Sequence, residues 1–117
     1  MAYTSGYQGQ LNPSLSVSIA SGQQVSSIID CGGFTLCGVI IPAAFTGTAI
    51  TFQMCDTIGG TFVPVTGVSG SALSYTVAAG KYYAIDPKDF FGIRYLEIKS
   101  GSAEGAARTL VCALKGF

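Results

Sequence analysis

The chain reads as an all-β protein, an antiparallel β-sandwich or jelly-roll-like fold with an extended N-terminal arm. Three observations predict it. Short runs alternate apolar and small polar residues with a period of two; Gly, Pro and Ser break the chain at regular intervals; and no window of about twelve residues places apolar side chains at helical spacing. Some eight or nine short strands with turn signals between them suit a sandwich or jelly roll better than any helical architecture.

Taken in order, residues 1–13 are rich in Gly, Ser, Gln and Tyr, contain Pro13 and show no periodicity. They read either as a frayed terminus or as an extended arm whose Tyr3, Tyr7 and Leu11 anchor on a neighbouring subunit, a task that suits the large amphipathic area of tyrosine. Residues 14–117 form the sandwich domain. Leu15, Val17 and Ile19 alternate with Ser14, Ser16 and Ser18, the pattern of a half-buried strand, and Ser21-Gly22 turns the chain. Val25 to Ile29 is a second candidate, leading into Asp30-Cys31-Gly32-Gly33. Phe34, Leu36, Gly38 and Ile40 alternate before Pro42 ends the run, and Ile50, Phe52 and Met54 form an inward set opposite Thr51, Gln53 and Cys55. Gly59-Gly60 is a turn, and Pro64 places the strand Thr61 to Val65 at a sheet edge. Leu73, Tyr75 and Val77, then Lys81 to Ile85, Arg94 to Lys99 and Arg108 to Leu114 complete the set.

Only 10% of the 117 residues are charged, six Lys+Arg against six Asp+Glu, where an ordinary soluble domain carries about 25%. From Met1 to Gly80 the only charges are Asp30 and Asp56. A neutral, charge-poor surface favours association, so the chain is expected to be covered in part by other protein. The balance supplies neither the basic footprint that nucleic acid requires nor a polybasic patch for anionic lipid. The first ten residues have no basic and apolar regions of a secretory signal. The uncharged stretch between Asp30 and Asp56 is long enough for a membrane span, but Gly32, Gly33, Gly38, Pro42 and Gly47 interrupt it and threonines dilute it.

Catalysis is not expected. Histidine is absent, which removes the usual proton shuttle near neutral pH and the Ser-His and Cys-His pairs. Asp86 and Asp89 are the one close carboxylate pair, and Asp86-Pro87-Lys88-Asp89-Phe90 reads as a helical-turn start. Asp86 is the N-cap, Pro87 the first helical position and Asp89 a first-turn acid reaching back to the cap. Cys31, Cys37, Cys55 and Cys112 lack the tight paired spacing of a zinc site and read as buried free thiols. No cofactor or metal is expected.

The most specific text runs from Tyr82 to Gly101: a strand, the capped turn, Gly92, and a second strand. On that second strand Arg94, Leu96 and Ile98 share one face, while Tyr95, Glu97 and Lys99 share the other. Arg94 lies near enough in sequence to pair with Asp86 or Asp89 and pin the turn. The arrangement of a strand, Asp-Pro-x-Asp-Phe, x-Gly-x-Arg-Tyr-Leu, an alternating strand and Ser-Gly resembles small β-sandwich proteins of tailed-phage structural modules. Gly38-Val-Ile-Ile-Pro-Ala-Ala and Thr51-Phe-Gln-Met, followed by Gly59-Gly60, resemble the same group. The resemblance covers about residues 25–114. It implies a capsid cement, or decoration, protein: a homotrimer seated on the outside of the virion shell, with the major capsid protein as partner. In it Asp86, Pro87, Asp89, Gly92 and Arg94 are scaffold residues of a structural turn. The Arg94-Tyr-Leu-x-Ile strand also resembles discoidin-like carbohydrate-binding sandwiches, which gives an alternative: a receptor- or carbohydrate-binding module of a phage fibre or spike. Tyr75, Tyr82, Tyr83 and Tyr95 are available for a sugar platform there, and the absence of Trp weakens it.

Overall fold

The computed structural model describes residues 13–116; the arm residues Tyr3, Tyr7 and Leu11 lie outside them. Nine strands form: β1 (Ser14–Ile19), β2 (Ile29–Asp30), β3 (Phe34–Ile40), β4 (Ala49–Cys55), β5 (Val63–Pro64), β6 (Ser74–Thr76), β7 (Tyr82–Ala84), β8 (Tyr95–Ser100) and β9 (Arg108–Gly116), with a single 3₁₀ turn at Pro87–Phe90 before β8. One sheet has the order β1-β9-β3-β7 and the other β2-β8-β4-β5, with β6 also pairing β4. Every pairing is antiparallel. Successive strands alternate between the sheets except at β4, β5 and β6, which is the jelly-roll path.

The alternation read from the sequence sets the core. Val17 and Ile19 of β1, Ile50 and Phe52 of β4, Leu96 and Ile98 of β8, and Leu110, Cys112 and Leu114 of β9 are all buried between the sheets. Phe52 lies at the centre, edge-on to both Phe90 (5.0 Å between centroids) and Tyr75 (5.9 Å). Phe90 comes from the 3₁₀ turn, so the capped segment plugs the core as well as reversing the chain. Leu15 points the same way as Val17 but lies at the end of the sheet, 40% exposed.

Three local expectations are corrected. In β3 the pairing with β9 shifts between Leu36 and Gly38. This bulge inserts a residue and reverses the phase of the strand, so Val39 and Ile41 face the core while Gly38 and Ile40 face outward. The strand expected over Val25 to Ile29 forms a regular ladder only at Ile29–Asp30. Upstream, the Ser26 hydroxyl accepts the Ile98 N–H at 2.9 Å, taking a position that a backbone carbonyl fills in a regular ladder. Cys55, expected outward, is buried because the turn at residues 56–60 folds over it, and its thiol donates to the Thr57 carbonyl at 3.0 Å.

Phe52→Ala removes the buried ring that joins β4 and β6 to the 3₁₀ turn. It should destabilise the fold by about 3–5 kcal/mol, measured by urea unfolding.

Candidate functional site

The turn singled out in the sequence forms as a scaffold. Asp86 is the N-cap, its carboxylate accepting the Lys88 N–H at 3.1 Å, and Pro87 follows at the start of the turn. Asp89 does not reach back to the cap with its carboxylate: the Asp86 N–H donates to the Tyr75 hydroxyl at 3.3 Å, and Asp89 contributes the backbone bond of the 3₁₀ turn, its N–H donating to the Asp86 carbonyl at 3.3 Å. Gly92 is exposed just beyond the turn. Arg94 does not pair with Asp86 or Asp89. Its Nε donates to Asp30 Oδ1 at 2.7 Å and its Nη2 to Oδ2 at 3.4 Å. The sheet explains the choice: β2 pairs with β8 so that Asp30 stands beside Tyr95, one residue from Arg94. Arg94 therefore lies outside the inward set it was expected to share with Leu96 and Ile98. The hydrogen bond from Arg94 holds the Asp30 carboxyl below the usual carboxylate range. Both side chains are about half exposed, and such a pair fixes geometry more than stability.

The Arg94 guanidinium also sits 5.0 Å from the centroid of the Tyr95 ring. Tyr95 also helps to line an open pocket of about 150 Å³, with Ile28, Thr57, Ile58, Gly59 and Phe62. The walls are almost wholly carbon, and Thr57 brings the only aliphatic hydroxyl. Nothing there matches the several hydroxyls of a sugar ring.

The four tyrosines proposed as a sugar platform do not converge. Tyr75 and Tyr83 pack against the core. Their hydroxyls accept backbone N–H groups, from Asp86 at 3.3 Å and from Ala78 at 2.7 Å. Tyr95 is on the outer face of the β8 sheet, and Tyr82 is on the outer face of the other sheet with its ring against Gly38. All four cysteines are free; Cys31, Cys55 and Cys112 are buried. Burial pushes the Cys31 thiol up to about 11 and the Cys112 thiol to about 12, so both stay protonated at neutral pH.

What the strands do assemble is a pair of chemically different sheet faces. Across the outside of the β1-β9-β3-β7 sheet, register aligns two rows: Ser14, Ala113, Gly38 and Ala84, then Ser16, Val111, Ile40 and Tyr82. Neither row contains a charge. Ile40 and Tyr82 are about half exposed. The other sheet presents Asp30, Glu97 and Lys99 on its outer face, interleaved with Thr51 and Gln53. Most of the little charge in the chain is thus kept off the first face, which is the candidate interaction surface.

A residue that sequence reading passed over holds one end of the sandwich together. Glu104, in the connection between β8 and β9, is fully buried. Its Oε1 accepts the Thr46 N–H at 3.0 Å and Arg108 Nε at 2.9 Å; its Oε2 accepts the Gly47 N–H and the Ser100 hydroxyl, both at 3.0 Å. Its backbone N–H donates to the Gln23 carbonyl at 3.0 Å, and its carbonyl accepts from Gly22 at 2.7 Å. Burial alone raises the carboxyl, but the Thr46, Arg108 and Ser100 donors outweigh it and bring the group down to about 2. Gly47 is required here, since a Cβ would collide with the Ser100 hydroxyl. The available signal was Arg108 four residues after the acid in a charge-poor chain, a spacing that reads more readily as an exposed pair on a helix.

No family model, curated protein or solved structure matches the chain significantly. The likeness to phage structural modules rests on the quoted motif residues alone.

The folded carboxyl of Glu104 lies below its ordinary value of 4.5. Its stabilisation is therefore complete above about pH 4.5 and is lost as pH falls toward 2. A drop from 4.5 to about 2 corresponds to about 3 kcal/mol. Glu104→Gln should cost about 3 kcal/mol or more at pH 7, because Arg108 is left unpaired and an amide NH₂ is pressed against backbone donors. Urea unfolding from pH 7 to pH 2 should show the gap between wild type and variant narrowing with acid.

Proposed function

We propose that this chain is a structural, non-enzymatic protein that docks on the exterior of a tailed-phage capsid, binds the major capsid protein and reinforces contacts between shell subunits. The observation that carries the reading is the pair of uncharged rows across the outer face of the β1-β9-β3-β7 sheet, where Ile40 and Tyr82 stand out from small residues and Lys115 brings a charge only near the end of β9. A flat face of this kind is suited to a protein surface, where apolar contact summed over many shell copies supplies the stabilisation. The jelly roll is an architecture used by capsid and lectin domains alike, so the fold contributes by analogy only. The motif resemblance tilts that analogy toward the capsid. The carbohydrate-binding alternative is less favoured, because the tyrosines it needs are dispersed and the pocket beside Tyr95 is walled by carbon.

Co-sedimentation with emptied capsid shells tests the proposal. Wild type should bind, and Ile40→Lys with Ala84→Lys should weaken occupancy about tenfold or more, since each places an unpaired charge in the contact. Both positions are exposed, so the variants should keep the thermal midpoint within a few degrees. Undiminished occupancy would contradict the assigned face. Absence of any shell binding, together with saccharide binding, would favour the alternative.

A further inference from the structure

We propose that the free edge of β1 pairs with β1 of a second copy, joining two sandwiches through one continuous sheet about a twofold axis at Leu15. The backbone of that edge points to it. Among the described residues β1 is the outermost strand of its sheet, paired with β9 along its length and bridged on its other side at Ile19, by Ser26. The Pro13 carbonyl accepts the Leu114 N–H at 3.0 Å, so residues 13, 15, 17 and 19 direct their backbone groups toward β9. Residues 14, 16 and 18 direct theirs away. At Ser18 those groups are taken: its N–H donates to the Ser27 hydroxyl at 3.1 Å and its carbonyl accepts the Ser27 N–H at 2.8 Å. At Ser14 and Ser16, among the described residues, nothing pairs with them, and both residues are exposed.

Apart from the cover at Ser18, the strand's own sequence lacks the devices that normally prevent pairing. Ser-Leu-Ser-Val-Ser-Ile contains no charge, proline or bulge, and its register with β9 is unbroken. A second copy is the occupant that fits best, because the segment is self-complementary in one register. Ser14 opposite Ser16 of the partner, with the converse pair related by the twofold, lets each pair exchange both N–H···O bonds. That register uses both free residues and stops short of Ser18, which is already covered. It places Leu15 directly against its symmetry mate as a close, non-hydrogen-bonded pair. Leu15 is the one apolar residue of the β1 inward set left substantially exposed, at 40%, so the same twofold supplies its missing partner. Shifting the axis to Ser16 drives Ser14 against the blocked Ser18, and shifting it to Ser14 sets Pro13 of one copy opposite Leu15 of the other.

This pairing requires no shell, so it stands or falls separately from the capsid reading, and its twofold symmetry differs from the trimer implied by the motif resemblance. The test is light scattering on the full chain over a concentration series, with amide hydrogen exchange read at Ser14 and Ser16. The expected result is a reversible species of twice the 12.0 kDa chain mass, with both amides protected at high concentration and exchanging freely on dilution. Ser16→Pro deletes an outward N–H that β9 does not use, as edge positions tolerate, and should weaken the dimer about tenfold or more. Leu15→Lys should do the same by removing the apolar contact at the axis. A monomer at all concentrations, or a trimer indifferent to both variants, would overturn the proposal. So would amides that stay protected in the dilute monomer, which would mean that the chain covers its own edge. The wild-type exchange measurement decides the matter even where a variant fails to fold.

Discussion

The sandwich depends most on one buried carboxylate. Two sheets packed face to face are secured by their core, but the connections at each end have to satisfy their own backbone groups away from water. Glu104 does this at three of them. It fixes the β1–β2 turn through its backbone, the β3–β4 connection through Thr46 and Gly47, the end of β8 through Ser100 and the start of β9 through Arg108. A buried charge is costly when its partners are incomplete. Here every oxygen is used, and among the described residues no buried side-chain polar atom lacks a hydrogen-bond partner. Holding these connections in place fixes the register of β1 and β9, and with it the rows of residues on the outer face of that sheet.

That arrangement leaves the two outer faces free to differ. The β8 side carries charge and the Asp30–Arg94–Tyr95 cluster, which ties the β2–β3 corner to the start of β8. Asp30 serves both sides of that corner, accepting the Gly32 N–H at 3.0 Å as well as the Arg94 fork. The β9 side is nearly free of charge. A chain with 10% charged residues cannot shield both faces from association, and of the two it is the β8 face that carries more charge.

Much of the fold was legible because strand burial has a period of two. The inward sets of β1 and β4 follow directly from Val17, Ile19, Ile50 and Phe52, and the face shared by Leu96 and Ile98 in β8 is the one that turns to the core. The cap at Asp86 was legible for a similar reason: its chemistry lies within a few residues of chain. What escaped is non-local. The bulge after Leu36 depends on β9, the partner of Arg94 depends on which strand lies beside β8, and the role of Glu104 depends on loops more than fifty residues away in sequence. The proposed docking face was legible only as a composition, a shortage of charge, and it took the strand register to show which face that shortage falls on.

The most direct measurement is an NMR titration of the Glu104 side-chain carboxyl in the folded protein. The carboxylate latch predicts a midpoint near 2, far below an ordinary glutamate, with the Thr46 and Gly47 amide signals moving in the same step. A midpoint at or above 4.5 would mean that the group is not held by those donors, and the end of the sandwich would have to be secured in some other way.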